Sequence, residues 1–209
     1  MPDLSIVVLF VTTSFVLLVV PGPTIALVVA RSLAQGRRVA LPLVMGVGLG
    51  DLVAASVSLA GAGALLATSA TAFAAVKIVG AVYLVWLGVK LMRSEPAPLD
   101  APADGAADGF AAFRDGFLVT VFNPKGILFF VAFVPQFIAA DRPYIPQAAF
   151  FVLTFSALGI ANGLVYALAA DGMRSVIRDV GVLRWMNRTG GALIALAGVA
   201  SVFARRPAV

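Results

Sequence analysis

The 209-residue chain has no cysteine and no histidine. The first absence excludes disulfides, thiolate metal sites and thiol redox chemistry. The second removes the commonest metal ligand and the usual proton relay near neutral pH. Charge is also scarce: 12% of residues are charged, where soluble domains carry roughly a quarter. Apolar residues make up 61% and come in long runs. Leu4 to Ala30 holds no charge in 27 residues, and Pro143 to Ala170 holds none in 28. About 20 such residues cross the hydrocarbon core of a bilayer. The N-terminus, Met1-Pro2-Asp3-Leu4, has no basic segment, and the apolar run behind it is too long for a signal peptide. It reads as a retained span. This is the sequence of an integral membrane protein.

Apolar runs place helices at 4–31, 39–68, 72–93, 112–140, 144–170 and 185–204. The expected fold is all-α, with six transmembrane helices in one membrane domain spanning 1–209. Residues 94–110 carry Glu95, Asp100, Asp104, Asp108 and three prolines, without a basic residue. That composition predicts an aqueous linker between two three-helix halves, 1–93 and 111–209.

The net charge of +5 arises from 15 basic and 10 acidic residues. Because the basic residues sit between apolar runs, they imply membrane topology and a lipid bilayer as partner, not nucleic acid. Arg31, Arg37, Arg38, Lys90, Arg93, Arg114, Arg174, Arg178, Arg184 and Arg188 fall on one side. Lys77, Arg142, Arg205 and Arg206 fall on the other. Ten against four puts the first group in the cytoplasm and both termini outside.

The halves echo each other. Pro21-Gly22-Pro23 answers to Asn123-Pro124-Lys125, Gly46 and Gly50 before Asp51 answer to Gly159 and Gly163 around Asn162, and Lys77…Gly80-Ala81 answers to Arg188…Gly191-Ala192. The offsets are 102, 113 and 111 positions, in the same order. Three helices per copy is an odd number, so the second copy must be inverted. Inverted repeats are typical of secondary transporters built around a midplane site.

Proline lacks an N–H, so Pro21 and Pro23 free the carbonyls of Leu17 and Val19, and Pro124 frees that of Thr120. Each also pushes its predecessor away from helical geometry. The first and fourth helices are therefore expected to break at these motifs. Gly22 and Asn123 then become N-caps, with Pro23 and Pro124 opening new half-helices. Exposed N–H groups of Thr24, Ile25, Lys125 and Gly126 would suit a carboxylate, and the freed carbonyls an ammonium. An amino acid zwitterion supplies both. The competing reading is a plain proline kink satisfied by neighbouring helices.

Lys125 is costly in a span, about 2.5–3.5 kcal/mol at a helix centre, and it opposes the dipole of its own half-helix. Asp51 is the other ionisable residue deep in a span. A Lys125–Asp51 pair or a shared substrate site accounts for both; a structural pair or a snorkelling lysine is the alternative. As the deep carboxylate, Asp51 is the candidate for proton coupling. Asn162 can bind substrate or bridge helices. Gly46/Gly50 and Gly159/Gly163 serve close helix packing. Gln136 fits an interface, and Tyr83 and Trp86 fit either a cavity wall or interfacial anchors.

On Pro21-Gly22-Pro23, Arg31…Gly36, Gly46…Gly50-Asp51, Lys77…Gly80-Ala81-Val82-Tyr83-Leu84…Gly88 and Asn123-Pro124-Lys125 with Pro135-Gln136-Phe137, the sequence resembles the lysine exporter (LysE/RhtB) family of amino-acid efflux proteins. The resemblance covers nearly the whole chain except the linker and final tail. It implies export of an amino acid or derivative across a bacterial inner membrane, driven by the proton-motive force, with no cofactor. It also implies two inverted three-helix halves and leaves dimerisation open. The family motif falls on Pro21, Gly22, Pro23, Asp51, Asn123, Pro124 and Lys125. With Asp51 as the only counter-charge in the spans, neutral substrates fit better than dibasic ones. A membrane enzyme would need His, Cys or clustered carboxylates within the spans, and their absence leads us to expect no enzymatic activity; two further alternatives stand beside the exporter reading. One is export of a hard cation such as manganese, for which one carboxylate is a thin site; soft-metal ligands are absent, and no metal site is expected. The other is a non-transporting membrane scaffold.

Overall fold

The computed structural model describes residues 2–68, 70–95, 108–139, 141–170 and 179–203, all helix and short connections with no strand among them. The helices are α1 (Leu4–Val19), α2 (Pro23–Gln35), α3 (Arg37–Thr68), α4 (Ala70–Arg93), α5 (Gly109–Val121), α6 (Pro124–Leu128), α7 (Tyr144–Ala169) and α8 (Val180–Phe203). After α6 the chain loosens into a π turn, Phe129–Phe133, and tightens into a 3-10 turn, Val134–Phe137. Pro135 explains the change of pitch, since it cannot donate to the carbonyl of Val131.

Both proline motifs break their helices. The axes of α1 and α2 differ by 53°, and those of Gly109–Val121 and Pro124–Phe137 by 43°. By length and apolarity two helices qualify as membrane spans, Arg38–Ala64 and Tyr144–Ala169, and four do if each bent pair counts as one. The expected ends shift where caps decide. Gly36 closes α2 at φ 72°, a left-handed conformation that favours glycine, so α3 starts at Arg37. Asp179 Oδ1 accepts from the N–H groups of Gly181 and Val182 at 2.7 and 3.1 Å. This cap starts α8 five residues before the expected 185. Of the expected linker, residues 96–107 lie outside the described residues, as do Arg174, Arg178, Arg205 and Arg206.

Glycine sets the helix contacts. A Cβ on Gly46 would run into the Phe113 carbonyl, and one on Gly50 would lie 2.9 Å from the Phe117 carbonyl oxygen. Thus α3 and α5 run side by side in the same direction, backbone against backbone. Contacts of Gly48 with Ile160, Gly159 with Asp51 and Gly163 with Val44 make α3 and α7 antiparallel. Those of Gly88 with Gly191 and Gly198 with Ala81 do the same for α4 and α8.

The interior divides into two apolar clusters. One gathers Phe10, Phe129, Phe130, Phe133, Phe151 and Phe155. It lies toward the end where Arg142 meets Asp3 at 3.4 Å. The other, around Val28, Leu43 and Tyr166, lies toward the end where Arg31 pairs with Asp115 at 2.6 Å. Outward-facing Leu4, Val57, Val79, Val82, Leu153 and Leu196 are each more than 55% exposed. So extensive an apolar exterior is what a lipid solvent calls for.

Candidate functional site

The breaks meet between the two clusters. Helix α1 ends with four carbonyls, of Leu17 to Val20, that have no donor ahead of them along the chain. Pro21 and Pro23 lack N–H groups, and the turn at Gly22 carries the chain away. Every one of the four is filled by a distant side chain. Lys125 Nζ donates to Leu17 O at 2.7 Å and to Val20 O at 3.0 Å. Asn162 Nδ2 donates to Leu18 O at 3.1 Å, and the Tyr166 hydroxyl to Val19 O at 2.9 Å. The buried ammonium thus sits on the negative end of the α1 dipole, where a cation is favoured.

The second break is stitched differently. Asn123 Oδ1 accepts from the Lys125 N–H at 3.1 Å and so caps α6. Its Nδ2 donates to Thr24 Oγ1 at 3.2 Å, tying one break to the other. The Asn123 carbonyl accepts from the N–H groups of Gly126 and Ile127, and the Asn123 N–H takes the Thr120 carbonyl freed by Pro124, each at 3.1 Å.

Three expectations are corrected here. The freed carbonyls do not stand open for a ligand, because Lys125, Tyr166 and the Asn123 backbone already bond them. Of the four N–H groups expected to be open, those of Lys125 and Gly126 are bonded to Asn123. Those of Thr24 and Ile25 at the start of α2 have no partner among the described residues. Nor does Lys125 form an ion pair with Asp51: no contact within 4.0 Å joins them among the described residues.

Gly22, Thr24, Asp51, Asn123, Lys125 and Asn162 nevertheless line one chamber of about 40 Å³, together with Ile25 and Gly159. That holds a few water molecules but not an amino acid. Asp51 is its one carboxylate among the described residues. A Cβ on Gly159 would strike Asp51 Oδ2, so the glycine makes room for the carboxylate. No group of three or more Asp, Glu, His or Cys side chains that could hold a metal ion occurs among the described residues. Pro21, Pro23 and Pro124 instead line a second, larger cavity, which shares Gly22, Asn123 and Lys125 with the chamber. The break residues form the wall between the two.

The family model for a LysE type translocator matches residues 15–205, a stretch that includes both breaks. The chain belongs to this family. It is 32% identical over 181 residues to a leucine efflux protein of Klebsiella pneumoniae, covering 86% of this chain and 84% of that protein. A membrane protein of Vibrio cholerae is 33% identical over 195 residues, covering 91% and 93%. A leucine efflux protein of an Enterobacter strain is 34% identical over 130 residues, 62% of each chain. No solved structure matches. The chain is thus a multi-pass bacterial membrane protein of a translocator family.

In this translocator the second cavity measures about 330 Å³, within the roughly 300–1,000 Å³ of small-molecule sites. It runs from Pro21-Gly22-Pro23 to Lys90, Leu91 and Ser94 at the end of α4, and Tyr83 and Trp86 line it. Tyr166 is the site residue that the sequence reading missed. Its signal is the four-residue spacing from Asn162, which places both on one face of α7.

Proposed function

We propose that this translocator exports a neutral amino acid from the cytoplasm, coupled to the proton-motive force. The observation that carries the reading is Lys125 Nζ on Leu17 O and Val20 O. These carbonyls already accept from one ammonium, that of Lys125, and a substrate ammonium is the same chemical group. Beside them, the open N–H groups of Thr24 and Ile25 at the start of α2 suit a carboxylate. A zwitterion can therefore span the first break, its ammonium replacing Lys125 on the end of α1. Lys125, once displaced, has Asp51 as its counter-charge in the same chamber. Proton exchange at Asp51 would couple that displacement to the pH gradient, with the chamber's one carboxylate among the described residues as carrier. The leucine efflux relatives point to an apolar substrate such as leucine.

The architecture we infer is six spans in two inverted halves. Support comes from the antiparallel pairs α3/α7 and α4/α8, which relate corresponding helices of the two halves. At 24 residues each, α4 and α8 reach about 36 Å, longer than the roughly 30 Å hydrocarbon core. The Arg31–Asp115 end is read as cytoplasmic and both termini as external, by the positive-inside rule. On that reading the phenylalanine cluster closes the outer side, while the larger cavity reaches toward the cytoplasm.

Proteoliposomes preloaded with labelled L-leucine test the proposal. Efflux accelerated by an imposed pH gradient, and slowed when the gradient is collapsed, is expected. An amino-acid panel that yields no flux, or transport of manganese alone, overturns it.

A further inference from the structure

The larger cavity holds polar groups that the site at the breaks leaves unused. Tyr83, Trp86 and Lys90 follow one another at i, i+3 and i+7 along one face of α4. The Tyr83 and Trp86 rings are 5.5 Å apart, and Lys90 Nζ lies 4.8 Å from the centre of the Trp86 ring. That contact steadies an ammonium over an aromatic face. Neither the Tyr83 hydroxyl nor the Lys90 ammonium has a hydrogen-bond or ion-pair partner among the described residues. Among the described residues the cavity's charged lining is Lys90 and Lys125, with no carboxylate, and Lys125 is engaged with α1 carbonyls. The remaining walls are chiefly apolar, with Leu87, Leu91 and Ile194 among them.

We infer that the Tyr83–Trp86–Lys90 face is an entry subsite that takes the α-carboxylate of an amino acid with an apolar side chain before it reaches the helix breaks. Lys90 and the Tyr83 hydroxyl donate to the carboxylate, while Leu87, Leu91 and Ile194 receive the side chain. Gly22, Asn123 and Lys125, common to both cavities, are where substrate passes inward. The two lysines make the subsite unfavourable to a dibasic amino acid, since a second cation in the substrate finds no acidic partner there. This inference rests on the exporter reading for its ligand. The same chemistry could receive the phosphate of an anionic lipid, Trp86 and Lys90 then being interfacial anchors.

The experiment uses the full chain with Trp185→Phe, which leaves Trp86 as the single one of two tryptophans, in nanodiscs of phosphatidylcholine alone and of phosphatidylcholine with phosphatidylglycerol. L-leucine should change Trp86 emission saturably, and L-lysine should not. Lys90→Met should weaken the L-leucine response about tenfold or more, as loss of a charge-assisted hydrogen bond does. In proteoliposomes, the same variant should raise KM for L-leucine by a similar factor and leave kcat within about twofold, the mark of lost ground-state binding. An emission change that requires phosphatidylglycerol and ignores L-leucine overturns the subsite in favour of a lipid anchor. L-leucine export by the parent protein with an unaltered Lys90→Met variant overturns the subsite alone. If the parent transports no amino acid, the exporter reading falls, and the Trp86 titration still decides whether the subsite binds.

Discussion

Lys125 Nζ lies 2.7 Å from Leu17 O, 108 positions away in the chain, and Leu17 O is the carbonyl that Pro21 deprives of its helical donor. A proline in one span thus creates the acceptor, and a lysine in another supplies the cation. The same ammonium reaches Val20 O at 3.0 Å. A charge that would be expensive in hydrocarbon is hydrogen-bonded to backbone carbonyls, with the Asp51 carboxylate in the same chamber but not in contact.

Removing that ammonium should be felt in stability as well as transport. Lys125→Met leaves two carbonyls without donors, and an unsatisfied buried group costs about 1–3 kcal/mol. Thermal unfolding in detergent should show a lowered midpoint, and L-leucine export should be lost. A Lys125→Met protein as stable and as active as the parent would remove the basis of the site.

Tyr166→Phe deletes one hydroxyl and preserves the ring. Val19 O then loses its donor, for a loss of about 1–3 kcal/mol, with export reduced but the fold retained. Comparison of unfolding midpoints and initial efflux rates checks this. An unchanged rate would mean that the Val19 carbonyl plays no part in holding the break.

Asn123 caps α6 and also bonds Thr24. Loss of an N-cap alone costs about 0.5–2 kcal/mol. Because the two residues share one hydrogen bond, Asn123→Ala and Thr24→Val should be non-additive in a double-mutant cycle, by about 0.5 kcal/mol or more. Strict additivity would contradict a direct tie between the breaks.

Helix contacts offer a paired test. A Cβ on Gly46 meets the Phe113 backbone, which cannot move aside as a side chain would, whereas one on Gly61 meets nothing within 4 Å. Gly46→Val should abolish recovery of monodisperse protein, and Gly61→Ala should leave it unchanged. Size-exclusion profiles from membranes decide between them.

How much of this was legible beforehand depended on the range of the interaction. Both breaks were readable because proline acts on its own backbone, at i−4 and i−1. Asn123 as a cap was readable for the same local reason, as was close packing at the paired glycines. Which helices become neighbours was not. Lys125 needed a partner, and composition offered Asp51. The partners found are main-chain carbonyls, which every sequence possesses and none advertises. Tyr166 was overlooked because a tyrosine in an apolar span resembles core or an interfacial anchor until its hydroxyl has a destination. Gln147 escaped likewise: it bonds the backbone of Ala139, Arg142 and Pro143, and so folds the connection before α7. Its role depends on a loop conformation that residue type alone does not specify.

Asp51 carries the coupling in the proposed cycle. With Asp51→Asn, L-leucine exchange down its own gradient should persist while acceleration by a pH gradient disappears. Retained acceleration would move the coupling elsewhere.

The most direct measurement is a structure of the protein with L-leucine bound. The account predicts the leucine ammonium within hydrogen-bonding distance of Leu17 O and Val20 O, with Lys125 Nζ displaced from both. Leucine seated at the breaks with Lys125 still bonded to these carbonyls would contradict it.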